Sequence, residues 1–222
     1  MSLSGAAVDL SKYENWFNCT FAGCSEGDKL ADGTGATNGG WGQNVSSLPD
    51  ATKVYISNDL KLLNIAYDEA NPTFTADRCR WSSSDLVFRF KASFHDPDMS
   101  GGLIMEPATK FAFWIGNNSS DEACFYGYCY DGWLELKDPK GNVTAAFEKL
   151  FDILCVIKGG QISFYIEKDG GQHLLYAKDG RSSFALGGEG GSVSKVEFFG
   201  DGVISDFSAL YRKNDVGFEI RR

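Results

Sequence analysis

The chain has 222 residues, 43% of them hydrophobic and 23% charged, a balance that excludes a disordered polypeptide. That length suits one large all-β domain, which commonly runs to about 200 to 250 residues, or two small domains. The 21 Lys and Arg against 30 Asp and Glu give a net charge of -9, with basic residues scattered singly or in pairs such as Arg221 and Arg222. Such a surface repels a phosphate backbone and an anionic membrane, so nucleic acid is not an expected partner.

The opening MSLSGAAVDLSKYENW has neither a charged n-region nor an apolar h-region, so no signal peptide is expected within it. MSLSG reads as a start placed after a removed leader. Residues 1–50, with the stretch CSEGDKLADGTGATNGGWGQNVSSLPD, are rich in Gly, Ser, Asn and Asp and predict an irregular segment packed on the rest.

From residue 51 the period is that of strands, short runs rich in Val, Ile, Phe, Tyr and Thr. They are KVYIS (53–57), LKLLNIAY (60–67), TFTADRCRW (73–81), DLVFRFKASF (85–94), GLIME (102–106), KFAFWIG (110–116), ACFYGYCY (123–130) and GWLELKD (132–138). The second half adds VTAAFEK (143–149), LFDILCVIKG (150–159), QISFYIEKD (161–169), HLLYAK (173–178), VSKVEFFG (193–200) and VISDFSALYR (203–212). KGGQ, KDGGQ, DPKGN and GDG are turn chemistry, because Gly supplies positive φ and Asp or Asn starts a turn. TAAFEKLFDIL is the best helical stripe, and its second half reads equally well as a strand. About a dozen strands with little helix predict one all-β domain over 1–222, a two-sheet antiparallel sandwich occupying 51–222. No apolar run of eighteen or more residues is present, so no membrane insertion is expected.

The six cysteines are Cys19, Cys24, Cys79, Cys124, Cys129 and Cys155. CTFAGC and CFYGYC share a four-residue spacing, which leaves disulfides, a zinc site and buried free thiols all open. On one straight strand Cys124 and Cys129 point to opposite faces and cannot pair with each other.

From about residue 80 to 212 the order of features resembles the concanavalin A-like lectin/glucanase superfamily, in particular the laminin-G-like modules of secreted bacterial proteins. SSSDLVFRFKASF is similar to the strand that opens their main sheet. LFDILCVIKGGQISFYIEKDGGQHLLYAKD is similar to their central hairpin, and VSKVEFFGDGVISDFSALY to their terminal strand pair. In that last segment Gly200 and Gly202 are expected to turn, Ile204 and Phe207 to face inward, and Asp206 to sit at the sheet edge. The resemblance implies a jelly-roll sandwich whose concave sheet or rim loops bind glycans, often with Ca²⁺, and some members hydrolyse glycosides.

Hydrolysis needs two carboxylates about 5 to 5.5 Å apart if retaining, or about 6.5 to 9.5 Å apart if inverting. The retaining glucanases that the chain resembles carry them as E-x-D-x-x-E on one strand, and this sequence has no such motif. Asp96 and Asp98 flank Pro97 and read as a solvated turn, and His95 and His173 are the only histidines. Neither G-x-S-x-G nor a strand-bound G-x-G-x-x-G occurs, so nucleophilic catalysis and nucleotide binding lack support. For calcium, GDKLADGTGATN offers Asp28, Asp32 and Asn38, and IGNNSSDE offers Asn117, Asn118, Asp121 and Glu122, without the strict spacing of a calcium loop. Five N-x-S/T sequons, at Asn18, Asn44, Asn117, Asn118 and Asn142, would mark surface loops in a secreted eukaryotic protein.

Aromatic residues carry the case for binding. Trp114, Tyr126, Tyr128, Tyr130 and Trp133 fall within twenty residues, and Tyr and Trp stack on sugar faces while hydrogen-bonding hydroxyls. The same alternation also serves a sandwich core. The opposite positions Ala123, Phe125, Gly127 and Cys129 are small or apolar, so Phe125 and Cys129 are expected inward and the tyrosines outward. The expected function is a non-catalytic extracellular or cell-surface binding module for a glycan or glycoprotein surface, a monomeric domain of a larger chain. A structural module with no small-molecule ligand is the alternative, and a glycoside hydrolase the next.

Overall fold

The computed structural model describes residues 7–20, 40–43, 54–56, 62–64, 72–75, 79–80, 85–94, 101–107, 111–117, 123–129, 132–137, 151–177, 179–185, 193–199, 202–213 and 219–220. The strands in chain order are β1 (Tyr13–Cys19), β2 (Gly40–Gln43), β3 (Val54–Ile56), β4 (Leu62–Asn64), β5 (Pro72–Thr75), β6 (Cys79–Arg80), β7 (Leu86–Phe94), β8 (Gly101–Pro107), β9 (Phe111–Asn117) and β10 (Ala123–Cys129). They continue with β11 (Gly132–Lys137), β12 (Phe151–Lys158), β13 (Gln161–Lys168), β14 (Gly171–Leu174), β15 (Tyr176–Ala177), β16 (Phe184–Ala185), β17 (Val193–Phe199), β18 (Gly202–Arg212) and β19 (Glu219–Ile220).

Every ladder is antiparallel. A nine-stranded sheet runs β14-β13-β12-β7-β18-β4-β3, with β1 also on β18 and β16 on β13; an eight-stranded sheet runs β15-β11-β10-β9-β8-β17-β5-β2, and β6 pairs with β19. The fold is the expected all-β jelly-roll sandwich. Among the described residues the only helix is one 3₁₀ turn, Leu10–Lys12, capped by Asp9.

Two tight turns set the register of the nine-stranded sheet. Gly159 and Gly160 (φ 56° and 73°) join β12 to β13, and Asp169 and Gly170 (φ 53° and 74°) join β13 to β14. Paired positive φ values are those of the two-residue hairpin turn whose twist matches its strands. The register then sorts side chains by face. Phe88 and Phe90 of β7, Ile153, Cys155 and Ile157 of β12, Ile162 and Phe164 of β13, and Ile204, Phe207 and Ala209 of β18 are buried on the core side. Phe207 stacks on Phe88 with ring centroids 6.2 Å apart. Each of the Ile and Phe side chains contributes about 1.5–3 kcal/mol by leaving water.

The other face is half covered. Val87, Leu154, Val156 and Tyr165 form a second apolar cluster beneath Val8, Leu10 and Tyr13 of the N-terminal strap. The Gln172 amide grips the strap from both sides: Val8 N donates to its Oε1 at 2.7 Å, and its Nε2 donates to Val8 O at 3.3 Å.

Several expectations shift. The first 50 residues were expected to be irregular, yet β1 runs along β18 and β2 along β5. Residues 73–81 hold two strands rather than one, β5 and β6, and residues 173–178 likewise split between β14 and β15. The strand half of TAAFEKLFDIL is realised from Phe151, while VTAAFEK lies outside the described residues. Asp206 is not on an edge strand: β18 has β7 on one side and, on the other, β4 against Gly202–Ile204 and β1 against Phe207–Arg212, with Asp206 in the gap between those two ladders. The strand is interior because β1, expected as irregular chain, pairs with it from Phe207 onward. Cys155 is a free, fully buried thiol, which removes it from any disulfide or zinc set.

Candidate functional site

Two sheet faces carry groups that a ligand could meet. On the eight-stranded sheet, strand register places them. Tyr126 of β10 stands opposite Trp114 of β9 and Glu135 of β11, and Tyr128 stands opposite Ala112 and Trp133. Directly opposed residues, and alternate residues along a strand, share a face. Trp114, Tyr126, Tyr128 and Trp133 therefore occupy positions on one face, and Phe125, Gly127, Cys129, Phe113, Ile115, Leu134 and Leu136 positions on the other.

Two buried residues identify the core side. Val196 (0% exposed) is opposite Met105 and so shares the face of Leu103 and Phe113, and Ala177 (5% exposed) is opposite Leu136. The aromatic positions fall on the opposite face, together with Glu135, Glu106, Glu197 and Lys195. Tyr130, Asp28, Asp32 and Asp121, and with them Asn38, Asn118, Glu122 and His95, lie outside the described residues. Asn117 ends β9 opposite Ala123, on the core-side register rather than among the aromatic positions. Among the described residues no group of three or more His, Cys, Asp or Glu is placed to hold a metal ion.

On the nine-stranded sheet the side chains themselves form the site. Glu167, Asp152 and Lys91 line up across β13, β12 and β7, with Arg89 one step along β7. Two opposed carboxylates destabilise a ladder unless cations intervene. Here Arg89 reaches diagonally to Glu167, its Nη2 and Nε donating to Oε2 at 2.7 and 2.8 Å. Lys91 leans the other way, onto Asp206 Oδ2 at 3.0 Å, and stays 3.9 Å from Asp152 Oδ1.

A β-bulge makes the second contact. Ser205 faces Lys91 and Ser208 faces Arg89, so Asp206 and Phe207 together stand opposite Phe90. Asp206 adopts φ 51°, a left-handed conformation uncommon for a residue with a Cβ. The bulge puts Ser205 and Asp206 in succession on the outer face, Asp206 against Lys91, before Phe207 returns to the core. Ser208 Oγ donates to Asn18 Oδ1 at 2.8 Å beside it.

Asp152 is left with the weakest compensation of the three carboxylates. Partial burial pushes its carboxyl above the ordinary range, opposed by the positive charges of Lys91 and Arg89. The Lys91 ammonium is held above its ordinary value by the hydrogen bond to Asp206 and the charge of Asp152. Two clefts meet at Arg89 and Asp152: one of about 520 Å³ walled by Glu167, Lys168, Gly170, Gly171 and Gln172, and one of about 210 Å³ walled by Asn18, Lys91, Asp206 and Ser208.

Reading the sequence missed this group. Its signal was a charge at alternate positions of otherwise apolar strands, Arg89 and Lys91 in FRFKASF, Asp152 in LFDIL and Glu167 in FYIEK. His173, on edge strand β14, is exposed, with Nε2 3.3 Å from Lys168 O, and by register shares the face of Ile166 and Ile153 rather than that of Asp152 and Glu167.

No protein-family model matches the chain, and no curated protein matches it in sequence. Among solved structures it is similar to the CBM2 module of the evolved Dit of Lactobacillus casei BL23 phage J-1, at 12% identity and TM-score 0.51 over 92% of this chain and 98% of that one. It is also similar to a glycosyl hydrolase family 16 protein from Mycobacterium smegmatis, at 11% identity and TM-score 0.50 over 89% of this chain and 97% of that one. At these identities the likeness establishes the architecture, a jelly-roll β-sandwich spanning nearly the whole of each partner.

Proposed function

We propose that the chain is a non-catalytic glycan-binding module of the concanavalin A-like, laminin-G-like kind, acting outside the cell or at its surface. The observation that carries this reading is the register that puts Trp114, Tyr126, Tyr128 and Trp133 on one face of the eight-stranded sheet, away from the core marked by Val196 and Ala177. Aromatic rings with polar tips suit the alternating apolar and hydroxyl surfaces of a sugar. The CBM2 module of similar fold supports a binding role, and the family 16 hydrolase of similar fold is the reason to test for catalysis.

The placement of acids supports binding without hydrolysis. Glu135 alone stands directly beside the aromatic positions; Glu106 and Glu197 are two and three strands from β10, roughly 10 and 14 Å at the spacing of neighbouring strands. Glu106 and Glu197 are diagonal neighbours on β8 and β17, at about the separation an inverting hydrolase uses, but they stand to one side of the aromatic positions of β10 and β11 rather than on both sides of them. Calcium remains part of the proposal only at Asp28, Asp32 and Asp121, which lie outside the described residues. A glycan array and a polysaccharide pull-down with the purified chain test the reading. Retention of a glycan without release of reducing sugar supports it; release of reducing sugar overturns the non-catalytic part, and no retention at all favours a structural module.

A further inference from the structure

We propose that the mixed-charge cleft on the nine-stranded sheet is a second saccharide site, which takes a neutral, polyhydroxylated unit on Asp152, Arg89 and Lys91. The choice of a sugar rests on the glycan reading above, but the site lies on the other sheet and uses different chemistry.

The cleft of about 520 Å³ is of the size small ligands occupy, roughly 300–1,000 Å³. Arg89, Asp152 and Glu167 line its floor, Lys91 lies in the adjoining cleft of about 210 Å³, and its rim is the β13–β14 turn, where a Cβ at Gly170 (φ 74°) would meet nothing within 4 Å. Backbone is thus open to close approach there. Asp152 sits where the two clefts meet. A carboxylate accepts at about four lone-pair positions, and its one ion-pair partner among the described residues, Lys91, is 3.9 Å away while Asp206 holds the ammonium at 3.0 Å. Both Arg89 bonds end on one oxygen of Glu167, so Nη1 has no bonded partner among the described residues.

The signs of the charges choose the ligand. An anion entering to meet Arg89, Lys91 and Lys168 would face Asp152, Glu167, Asp169 and Asp206, and a cation would face the three bases. A neutral diol avoids both penalties, since one hydroxyl can donate to Asp152 while its neighbour accepts from Arg89 or Lys91. Charge-assisted hydrogen bonds of this kind are the strong ones. The bulge serves the same arrangement, because it turns Asp206 out of the ladder and draws Lys91 off Asp152.

The test is amide chemical-shift mapping of the full chain with maltotriose, cellotriose and mannotriose, and with acetate and methylammonium as purely anionic and cationic probes. At least one neutral sugar should move the amides of Gly170, Gly171 and Gln172, more than either ion does. Asp152→Asn should weaken that response about ten-fold or more, the scale of one charged hydrogen bond. Glu167→Gln is the second variant should Asp152→Asn perturb the fold, and the response should persist in Trp133→Ala. Shifts confined to β9, β10 and β11 overturn this site and leave the glycan reading standing. Shifts confined to the cleft overturn the aromatic site instead, and shifts at neither face overturn both. An equal response to acetate or methylammonium, or an undiminished response in Asp152→Asn, overturns the proposed ligand chemistry.

Discussion

Lys91 and Asp206 meet at 3.0 Å because β18 spends two residues, Asp206 and Phe207, opposite the single Phe90 of β7. The extra residue keeps Asp206 on the outer face beside Ser205, where it holds the ammonium, and still lets Phe207 stack on Phe88 in the core. Bulges re-aim side chains in this way beside functional sites.

The bulge sets an order of stability among variants. A left-handed backbone costs an L-residue about 1–2 kcal/mol, which glycine does not incur. Asp206→Ala keeps that cost and loses the ion pair, whereas Asp206→Gly loses the pair and sheds the cost. Denaturant midpoints should therefore rank the Gly variant above the Ala variant, by about 1 kcal/mol. Equal midpoints would mean that the φ of Asp206 carries no strain.

Asp152 makes the fold respond to acid in an unusual direction. Its folded carboxyl is pushed above the ordinary 3.8 by partial burial, so between 3.8 and the raised value the folded chain binds more protons than the unfolded one. By linkage, the stability due to this group falls as pH rises through that window. Asp152→Asn removes the effect. Thermal melts of both proteins should show the variant gaining on the parent as pH rises from below 3.8 to neutral; a parent that gains on the variant over that range would contradict the burial argument.

Cys155 should be chemically silent. It is fully buried among core side chains, and desolvation pushes its thiol well above the ordinary value, so little thiolate forms. A thiol reagent should label it only at the rate of unfolding. Cys155→Ser would bury a hydroxyl among apolar groups and cost about 1–3 kcal/mol. Rapid labelling at Cys155 in the native protein, followed by peptide mapping, would show that the inner face of β12 is open.

The strands around the central hairpins were legible because KGGQ and KDGGQ demand positive φ at two adjacent positions, which fixes both turn and register. The aromatic alternation of β10 was legible for the same reason, since a period of two assigns faces before any partner is known. What stayed hidden depends on pairing over long separations. Tyr13–Cys19 looks irregular until β18 lies beside it, and β18 looks like an edge strand until that happens. Arg89, Asp152, Glu167 and Asp206 are separated by up to 117 positions (206 minus 89) and meet only through the ladders of β7, β12, β13 and β18.

The glycan-binding claim turns on whether the aromatic face meets ligand or only solvent. The most direct measurement is the affinity of Tyr128→Ala and Trp133→Ala for the glycan that the parent chain retains, taken with their melting temperatures. Loss of a stacking ring from a binding face should weaken binding at least about ten-fold with little change in melting, whereas an aromatic truncated in a core costs about 3–5 kcal/mol of stability. Melting that falls sharply while affinity holds would contradict the claim and make those residues part of the packing.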